Sequence, residues 1–476
     1  MKRVLMLAFC MLIAPVFGMG KGSMVNMLNR INQSVVNIET TIVHSSCKNV
    51  GLSYGTGFLI NKEKGIFLTN AHVISSGSVC RYNIQFANGK EAPAKLRYYD
   101  PWQDFAFLQV DPADIPDQTD ALKLKPNGVA ENEEVFIIGN NGGREYSFLS
   151  GRIANSFECM GLFPNQSFRI TLNNSPGSSG SPVLNMDGEV IGIIHSGNDA
   201  SSGFALPMQY VVDSLKQVLA GKTPVRKHIG ALVDYASLDK MVKFLKLPVD
   251  IADKYVKDFP QARRKILKVV KVLKGSPSDG VLEPGDIVVA VNGKTVGPNL
   301  YEMDKMFDNS NGPLTIDIYR YGERKTLKVN TYNLQEHKIE QLVIAGGATF
   351  YKADDAIRLQ TGANPGSIFI TNVQRGGSFY YAPIFPIPDT DKLLISVVDI
   401  NKQPVKTLDD ISRIFNGLST ESHLSITYKN FGYYYTYSRT FVFNHGLENS
   451  EVTYNPSDMP LMVFEFNEKE MDWIKK

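Results

Sequence analysis

The sequence predicts a mainly β chain of several domains, and three patterns predict it. In the first half, strand, turn and strand recur. Gly55-Thr56-Gly57-Phe58-Leu59-Ile60 and Gly65-Ile66-Phe67-Leu68-Thr69-Asn70 form one such pair, residues 105–110 read as a further strand, and Pro182-Val183-Leu184-Asn185 returns as Glu189-Val190-Ile191-Gly192-Ile193-Ile194 after a turn at Asp187-Gly188. In the second half, Pro284-Gly285-Asp286 opens an apolar strand that Asn292-Gly293 closes, the residue types a tight hairpin needs. The chain has 476 residues, 43% hydrophobic and 21% charged, which is ordinary globular composition and long enough for about three domains.

At the N-terminus, Met1-Lys2-Arg3, an apolar run over residues 4–17 and the small Gly18 and Gly20 read as a cleavable export signal over residues 1–20. The run is too short to span a membrane, so the pattern predicts an exported chain, periplasmic or secreted, with no transmembrane anchor. Removing Lys2 and Arg3 brings the formal charge from +2 to zero, which leaves no electrostatic argument for nucleic acid as a partner. Cys10 falls in the signal, leaving Cys47, Cys80 and Cys159. Cys47 and Cys80 flank the strands leading to His72 and read either as a disulfide or as two buried thiols, with Cys159 unpaired. The seven histidines are scattered, without His-Glu-x-x-His or paired Cys-x-x-Cys, so no metal and no cofactor is expected.

Chemistry concentrates in three places. Thr69-Asn70-Ala71-His72 follows a strand, Asp100-Pro101-Trp102-Gln103-Asp104-Phe105 precedes one, and Asn174-Ser175-Pro176-Gly177-Ser178-Ser179-Gly180-Ser181-Pro182 precedes another. An alcohol is a poor nucleophile at neutral pH. It needs an imidazole to take its proton and a buried carboxylate to hold that imidazole in one tautomer. His72, Asp104 and Ser179 supply those parts in the order of a serine protease.

With Ser34-Val35-Val36-Asn37-Ile38, Gly55-Thr56-Gly57-Phe58 and Gly203-Phe204-Ala205-Leu206-Pro207 added, residues 24–221 resemble the trypsin-like protease domain of the HtrA/Deg family. Gly-Ser-Ser-Gly-Ser-Pro at the nucleophile and Asp-Pro-x-x-Asp-Phe at the acid place it nearest the branch of the yeast nuclear HtrA-like protease and its plant and bacterial relatives. The resemblance implies a chymotrypsin-like double β-barrel, with Ser179 as nucleophile, His72 as general base and Asp104 as orienting acid. It implies an oxyanion hole from the backbone of Gly177, Ser178 and Ser179. The commonest family form is Gly-Asn-Ser-Gly-Gly, from which this chain departs at Ser178 and Ser181. It further implies a substrate pocket walled by Asn173, Ile194, His195 and Ser196. Asn173 replaces the acidic residue that gives trypsin its preference for Arg and Lys, so small or medium apolar side chains are expected. His195 reads either as a pocket cation favouring acidic side chains or as a histidine merely hydrogen-bonded near the acid. Residues 24–31 resemble the segment through which the family builds trimers, so a homotrimer is expected, and the short loop over residues 43–54 argues against large cages.

After a helix predicted over residues 208–220 and the linker Gly221-Lys222-Thr223-Pro224, residues 225–335 resemble a PDZ domain. Val269 to Gly280 followed by Leu282-Glu283-Pro284-Gly285-Asp286 through Asn292-Gly293 carries the likeness. By resemblance, His228-Ile229-Gly230-Ala231 would hold a peptide C-terminal carboxylate while the peptide adds to the sheet as a strand. Residues 341–446 read as a second, degenerate PDZ-like α+β domain, and residues 447–476 as a tail without decisive signal. Together these patterns predict an exported, ATP-independent serine endopeptidase acting on unfolded or misfolded polypeptides in protein quality control, with PDZ domains for peptide C-termini. The alternative is a peptide-binding chaperone or scaffold on an inactive protease fold.

Overall fold

The computed structural model describes residues 21–476 except 47–49, 101, 128, 160–164, 199–201, 372, 381, 383, 385–392, 437–438 and 458. The expected export signal and Cys47, one half of the expected disulfide, lie outside the described residues.

Two closed six-stranded barrels occupy the first half. The first contains Val35–His44, Gly51–Asn61, Ile66–Thr69, Val79–Gln85, Glu91–Asp100 and Phe105–Gln109. Alternate burial along Val35–His44 shows why: one face of each strand is apolar, and closing the sheet on itself buries that face. The second barrel contains Glu134–Asn141, Arg144–Glu158, Ser167–Ile170, Pro182–Asn185, Val190–Asn198 and Ser202–Pro207. Phe58, Phe105 and Phe107 of the first barrel join Phe136, Leu184 and Leu206 of the second in one continuous apolar cluster. Each such side chain, fully buried, contributes about 1.5–3 kcal/mol, so the barrels are fused through their cores. The helix Lys21–Ser34 lays Met27 and Ile31 against this cluster, beside the turn at Gly188. The helix Gln209–Leu219, close to the bounds expected, buries Tyr210, Val211 and Leu215.

The second half is built on two large sheets and a two-stranded one that pairs Lys227–His228 with Tyr332–Asn333. A six-stranded sheet carries Ala231–Ser237 at its edge and Lys265–Val272, Ile287–Val291, Leu314–Arg320 and Glu323–Val329 beyond it, with Lys294–Thr295 to the side. Between its first two strands lie the helices Leu238–Leu245 and Val249–Asp258. Its other helix, Leu300–Asp308, is capped by the Asn299 side chain, which accepts the Glu302 N–H at 3.1 Å.

The last sheet has nine strands and runs to the end of the chain. Arg439–Tyr454 crosses residue 446, where the sequence suggested a domain limit. Residues 447–476 are no separate tail: Met462–Asn467 pairs with Gln341–Ala345, and Asp472–Lys475 pairs with Met462–Asn467. These terminal strands bury little, so they lack the apolar alternation that would announce them. Phe464, on the first of them, reaches His44 of the first barrel with ring centroids 4.9 Å apart.

Candidate active site

His72 and Asp104 meet at the ends of neighbouring strands of the first barrel. Ile66–Thr69 and Phe105–Gln109 are paired, so the residues just past one and just before the other are adjacent. Asp104 Oδ1 accepts the His72 backbone N–H at 3.0 Å, and Oδ2 lies 2.7 Å from His72 Nδ1. A carboxylate only accepts, so Nδ1 carries the proton and Nε2 is left as the basic nitrogen. Asp104 adopts φ +56°, a left-handed conformation costly for any residue with a Cβ. Asn70 Nδ2 donates to its carbonyl at 2.8 Å, so three hydrogen bonds hold the strained residue. Its carboxylate is 1% exposed, whereas the His72 ring is 31% exposed and faces the opening.

The Ser179 loop lies across the join between the barrels. Thr56 ties it there: its N–H donates to Ser179 O at 2.9 Å, and its hydroxyl donates to Gly177 O at 2.9 Å while accepting the Asn140 N–H at 3.0 Å. The Thr69 hydroxyl, on the strand leading to His72, donates to Thr56 O at 2.8 Å. One residue of the Gly-Thr-Gly-Phe run therefore connects the strand leading to the candidate base with the loop bearing the candidate nucleophile. Nothing in the sequence marked that role, because Gly177 and Ser179 stand more than a hundred residues from Thr56 along the chain.

Gly177 (φ +98°) cannot be replaced without collision, since a Cβ there would stand 2.1 Å from Asn140 O. Gly142 N–H holds the Pro176 carbonyl at 2.9 Å. Carbonyl and N–H of one trans peptide point opposite ways, so the Gly177 N–H is turned away from Gly142. Among the described residues, neither the Gly177 nor the Ser179 N–H donates to a protein acceptor. Asn141 Oδ1 accepts from the Ser175 N–H (2.7 Å), the Ser175 hydroxyl (2.8 Å) and the Ser178 hydroxyl (2.7 Å), which fixes the loop around them. Ser178, where the family commonly has Asn, is thus a buried tether.

Residues 55–193 match the family model described as a trypsin-like peptidase domain. Over those residues the chain is similar to trypsin-like peptidases. It is 28% identical over 414 residues to the "Pro-apoptotic serine protease NMA111" of Eremothecium gossypii, covering 84% of this chain and 41% of that protein. To the protein of the same name from Meyerozyma guilliermondii it is 27% identical over 428 residues, covering 87% and 42%. The chain thus spans about two fifths of the length of the curated relatives it matches. Among solved structures it is similar to "HtrA-type protease AlgW with tripeptide" (TM-score 0.49, 22% identity, 65% of this chain and 97% of that one). A serine endoprotease from Yersinia pestis is similar at TM-score 0.44 and 19% identity, over 66% and 98%.

The periplasmic or secreted address expected from residues 1–20 is corrected by these relatives, which are proteins of fungi and not of a bacterial periplasm. A short apolar run behind Lys2-Arg3 reports composition alone, whereas the likeness to the fungal proteins runs over most of this chain.

The structure places the pocket residues of this trypsin-like domain as follows. Asn173 is exposed, and its neighbour Asn174 turns into the slot. Asn174 Nδ2 donates to Ser196 O at 3.2 Å, and a Cβ on Gly197 would stand 2.1 Å from Asn174 Oδ1. Leu172, Ile194 and Gly203 close the same slot. Asn174 Oδ1 is buried there without a hydrogen-bond partner. His195 is buried behind it, with Nε2 2.9 Å from the Ser167 hydroxyl and Nδ1 2.9 Å from the Ser196 hydroxyl. Burial lowers its pKa to about 4, so it is neutral at physiological pH and offers an acidic side chain no counter-charge.

His228, Ile229, Gly230 and Ala231 are buried rather than open. His228 lies against Trp102 of the catalytic half, with ring centroids 4.4 Å apart, and its Nδ1 accepts the Gly230 N–H at 2.9 Å. The Ile229 carbonyl accepts the Ser278 hydroxyl at 2.7 Å, and the Gly230 carbonyl accepts the Leu273 N–H at 2.8 Å. Cys80 is half-buried, with its expected partner Cys47 outside the described residues.

Proposed function

We propose that the chain is an ATP-independent serine endopeptidase of the HtrA type, cleaving unfolded or exposed polypeptide segments in protein quality control. The observation that carries this reading is the His72–Asp104 pair, oriented with Nε2 basic, beside a Ser179 loop whose Gly177 and Ser179 N–H groups have no internal acceptor. Ser179 Oγ attacks the substrate carbonyl carbon as its proton passes to His72 Nε2. The oxyanion of the tetrahedral intermediate takes hydrogen bonds from the Gly177 and Ser179 N–H groups, each such donor being worth about 3 kcal/mol of barrier. His72 returns the proton to the leaving amine as the C–N bond breaks. A water then gives its proton to His72 and attacks the acyl-enzyme, and Ser179 leaves re-protonated. Asp104 keeps the imidazole in register and stabilises the imidazolium.

The slot around Asn174 suits a small side chain, because the amide occupies the depth a large one would need. The sheets of the second half are read as PDZ-like modules for peptide C-termini, and the helix Lys21–Ser34 as part of a homotrimer contact.

The test is labelling by a fluorophosphonate probe and cleavage of an unfolded casein-like substrate, with and without apolar C-terminal peptides. Cleavage should fall by about 10⁶-fold in His72→Ala and Ser179→Ala, and labelling should be lost in both. Absence of labelling in the parent chain under every condition would sink the reading and leave a peptide-binding scaffold as the better account.

A further inference from the structure

Asp100 begins the Asp-Pro-x-x-Asp run that the triad leaves unexplained. It ends the strand Glu91–Asp100, and its Oδ1 accepts the Trp102 N–H at 3.0 Å and the Gln103 N–H at 2.9 Å, shaping the turn that delivers Asp104. Its Oδ2 receives Arg226 Nη1 at 2.5 Å and the Tyr98 hydroxyl at 3.4 Å. Arg226 lies beyond the catalytic half, in the link to the 225–335 module, and its Nε is 3.2 Å from Asp308 Oδ2. Asp308 closes the helix Leu300–Asp308 of that module and also accepts the Lys227 N–H at 2.9 Å. The arginine is 8% exposed and Asp100 1% exposed, so the Asp100 end of the bridge is buried, while Asp308 is half-buried.

The rest of the turn is held from the same side. Trp102 packs with Leu232, Leu273, Leu334 and Leu359, none of which belongs to the barrels. The Gln103 side chain lies near the Asp304 carboxyl on the Asp308 helix and helps to hold its charge. Residues 100, 102 and 103 are thus each fixed by the second module or its link, and the next residue is the strained Asp104.

We infer that Arg226 is a positioning residue of the active site: bridging Asp100 to Asp308, it makes docking of the 225–335 module set the placement of Asp104 against His72. The inference rests on the endopeptidase reading for its kinetic consequence and on geometry alone for its structural one. A left-handed residue with a Cβ persists only where its surroundings over-determine it. Without the guanidinium, Asp100 is a buried carboxylate lacking its charge partner, which must take a proton or swing to water. A swing to water frees the N–H groups of residues 102 and 103, a proton on the carboxyl weakens their acceptor, and in both cases the hold on Asp104 loosens.

The experiment compares the full chain with Arg226→Gln, Asp308→Asn and Arg226→Lys. Cleavage kinetics should show kcat falling by up to about 10²-fold in Arg226→Gln with KM nearly unchanged, the size expected for a misplaced catalytic group. Asp308→Asn should give a smaller loss, and Arg226→Lys, which can still reach one carboxylate, a partial rescue. The acid limb of the kcat/KM profile should move in Arg226→Gln, since the placement of Asp104 against the imidazole changes. A smaller folded fraction would lower kcat without moving that limb. The downfield proton resonance of His72 Nδ1–H gives a reading independent of activity, and it should shift or vanish in Arg226→Gln. Folded Arg226→Gln and Asp308→Asn chains with parental kcat, pH profile and resonance would overturn the inference. A parent chain with the resonance but no activity would overturn the endopeptidase reading instead.

Discussion

Gly139 leaves the space that the Ser181 side chain fills: a Cβ on Gly139 would stand 1.9 Å from Ser181 Oγ. This pairing accommodates Ser181, where the family commonly has a second glycine after the nucleophile. Gly139→Ala should therefore overpack the join and cost about 1–3 kcal/mol, with Ser181→Gly in the same chain restoring most of it. Urea denaturation of the two single variants and the double variant checks the coupling. Ser181 Oγ is buried without a partner, so Ser181→Ala alone should be neutral or stabilising.

Thr56→Val keeps the shape of the side chain but removes the bonds to Gly177 O and from Asn140 N–H. Each buried group left unpaired costs about 1–3 kcal/mol. Because one of them belongs to the oxyanion loop, kcat should fall more than KM rises. Thr56→Ser should retain both bonds and most of the activity. Steady-state kinetics on a peptide substrate checks it, and equal losses in both variants would contradict the role given to the hydroxyl.

Asn174→Ala should deepen the slot between Gly197 and Gly203. Profiling with a peptide library should show the preference at the cleaved bond moving from small side chains toward Leu and Phe, with relative kcat/KM changing by about 10-fold or more. An unchanged profile would mean that this slot does not receive the substrate side chain.

Asp304 accepts the Tyr210 hydroxyl at 3.3 Å, and burial pushes its pKa from 3.8 up to about 8 despite nearby Arg226. A folded-state pKa above the unfolded one gives stability that is fully present below about pH 4 and lost as pH rises through about 8. The parent chain should thus lose stability from pH 5 to pH 8.5 relative to Asp304→Asn, whose amide does not titrate. Urea midpoints of both chains at the two pH values measure the difference, and parallel pH dependences would refute the assignment.

Much of the site was legible because its signals are local. His72 and Asp104 stand at strand ends that period-two apolar patterns mark, and the Ser179 loop announces its conformation through Gly177 and Gly180, both at positive φ. The neighbourhood of Asn173 was harder to read. Around Leu172, Asn173 and Asn174 the side chains face alternately in and out, so a slip of one position exchanges an exposed amide for the one in the slot. The terminal strands Met462–Asn467 and Asp472–Lys475 escaped because strands that bury little need no apolar alternation.

By itself, the sequence determined the mainly β class, the order of His72, Asp104 and Ser179, and the turns that place them, since propensity, alternation and glycine requirements act over a few neighbouring residues. Only the tertiary structure decided that Thr56 ties the Ser179 loop to the strand before His72, that Gly139 makes room for Ser181, that Asn174 rather than Asn173 fills the slot, and that Asp100, Arg226 and Asp308 join in one bridge. The physical reason is common to all four. A hydrogen bond, a shared volume or a desolvated ion pair depends on distance in space, and no local pattern encodes which remote residue will arrive there.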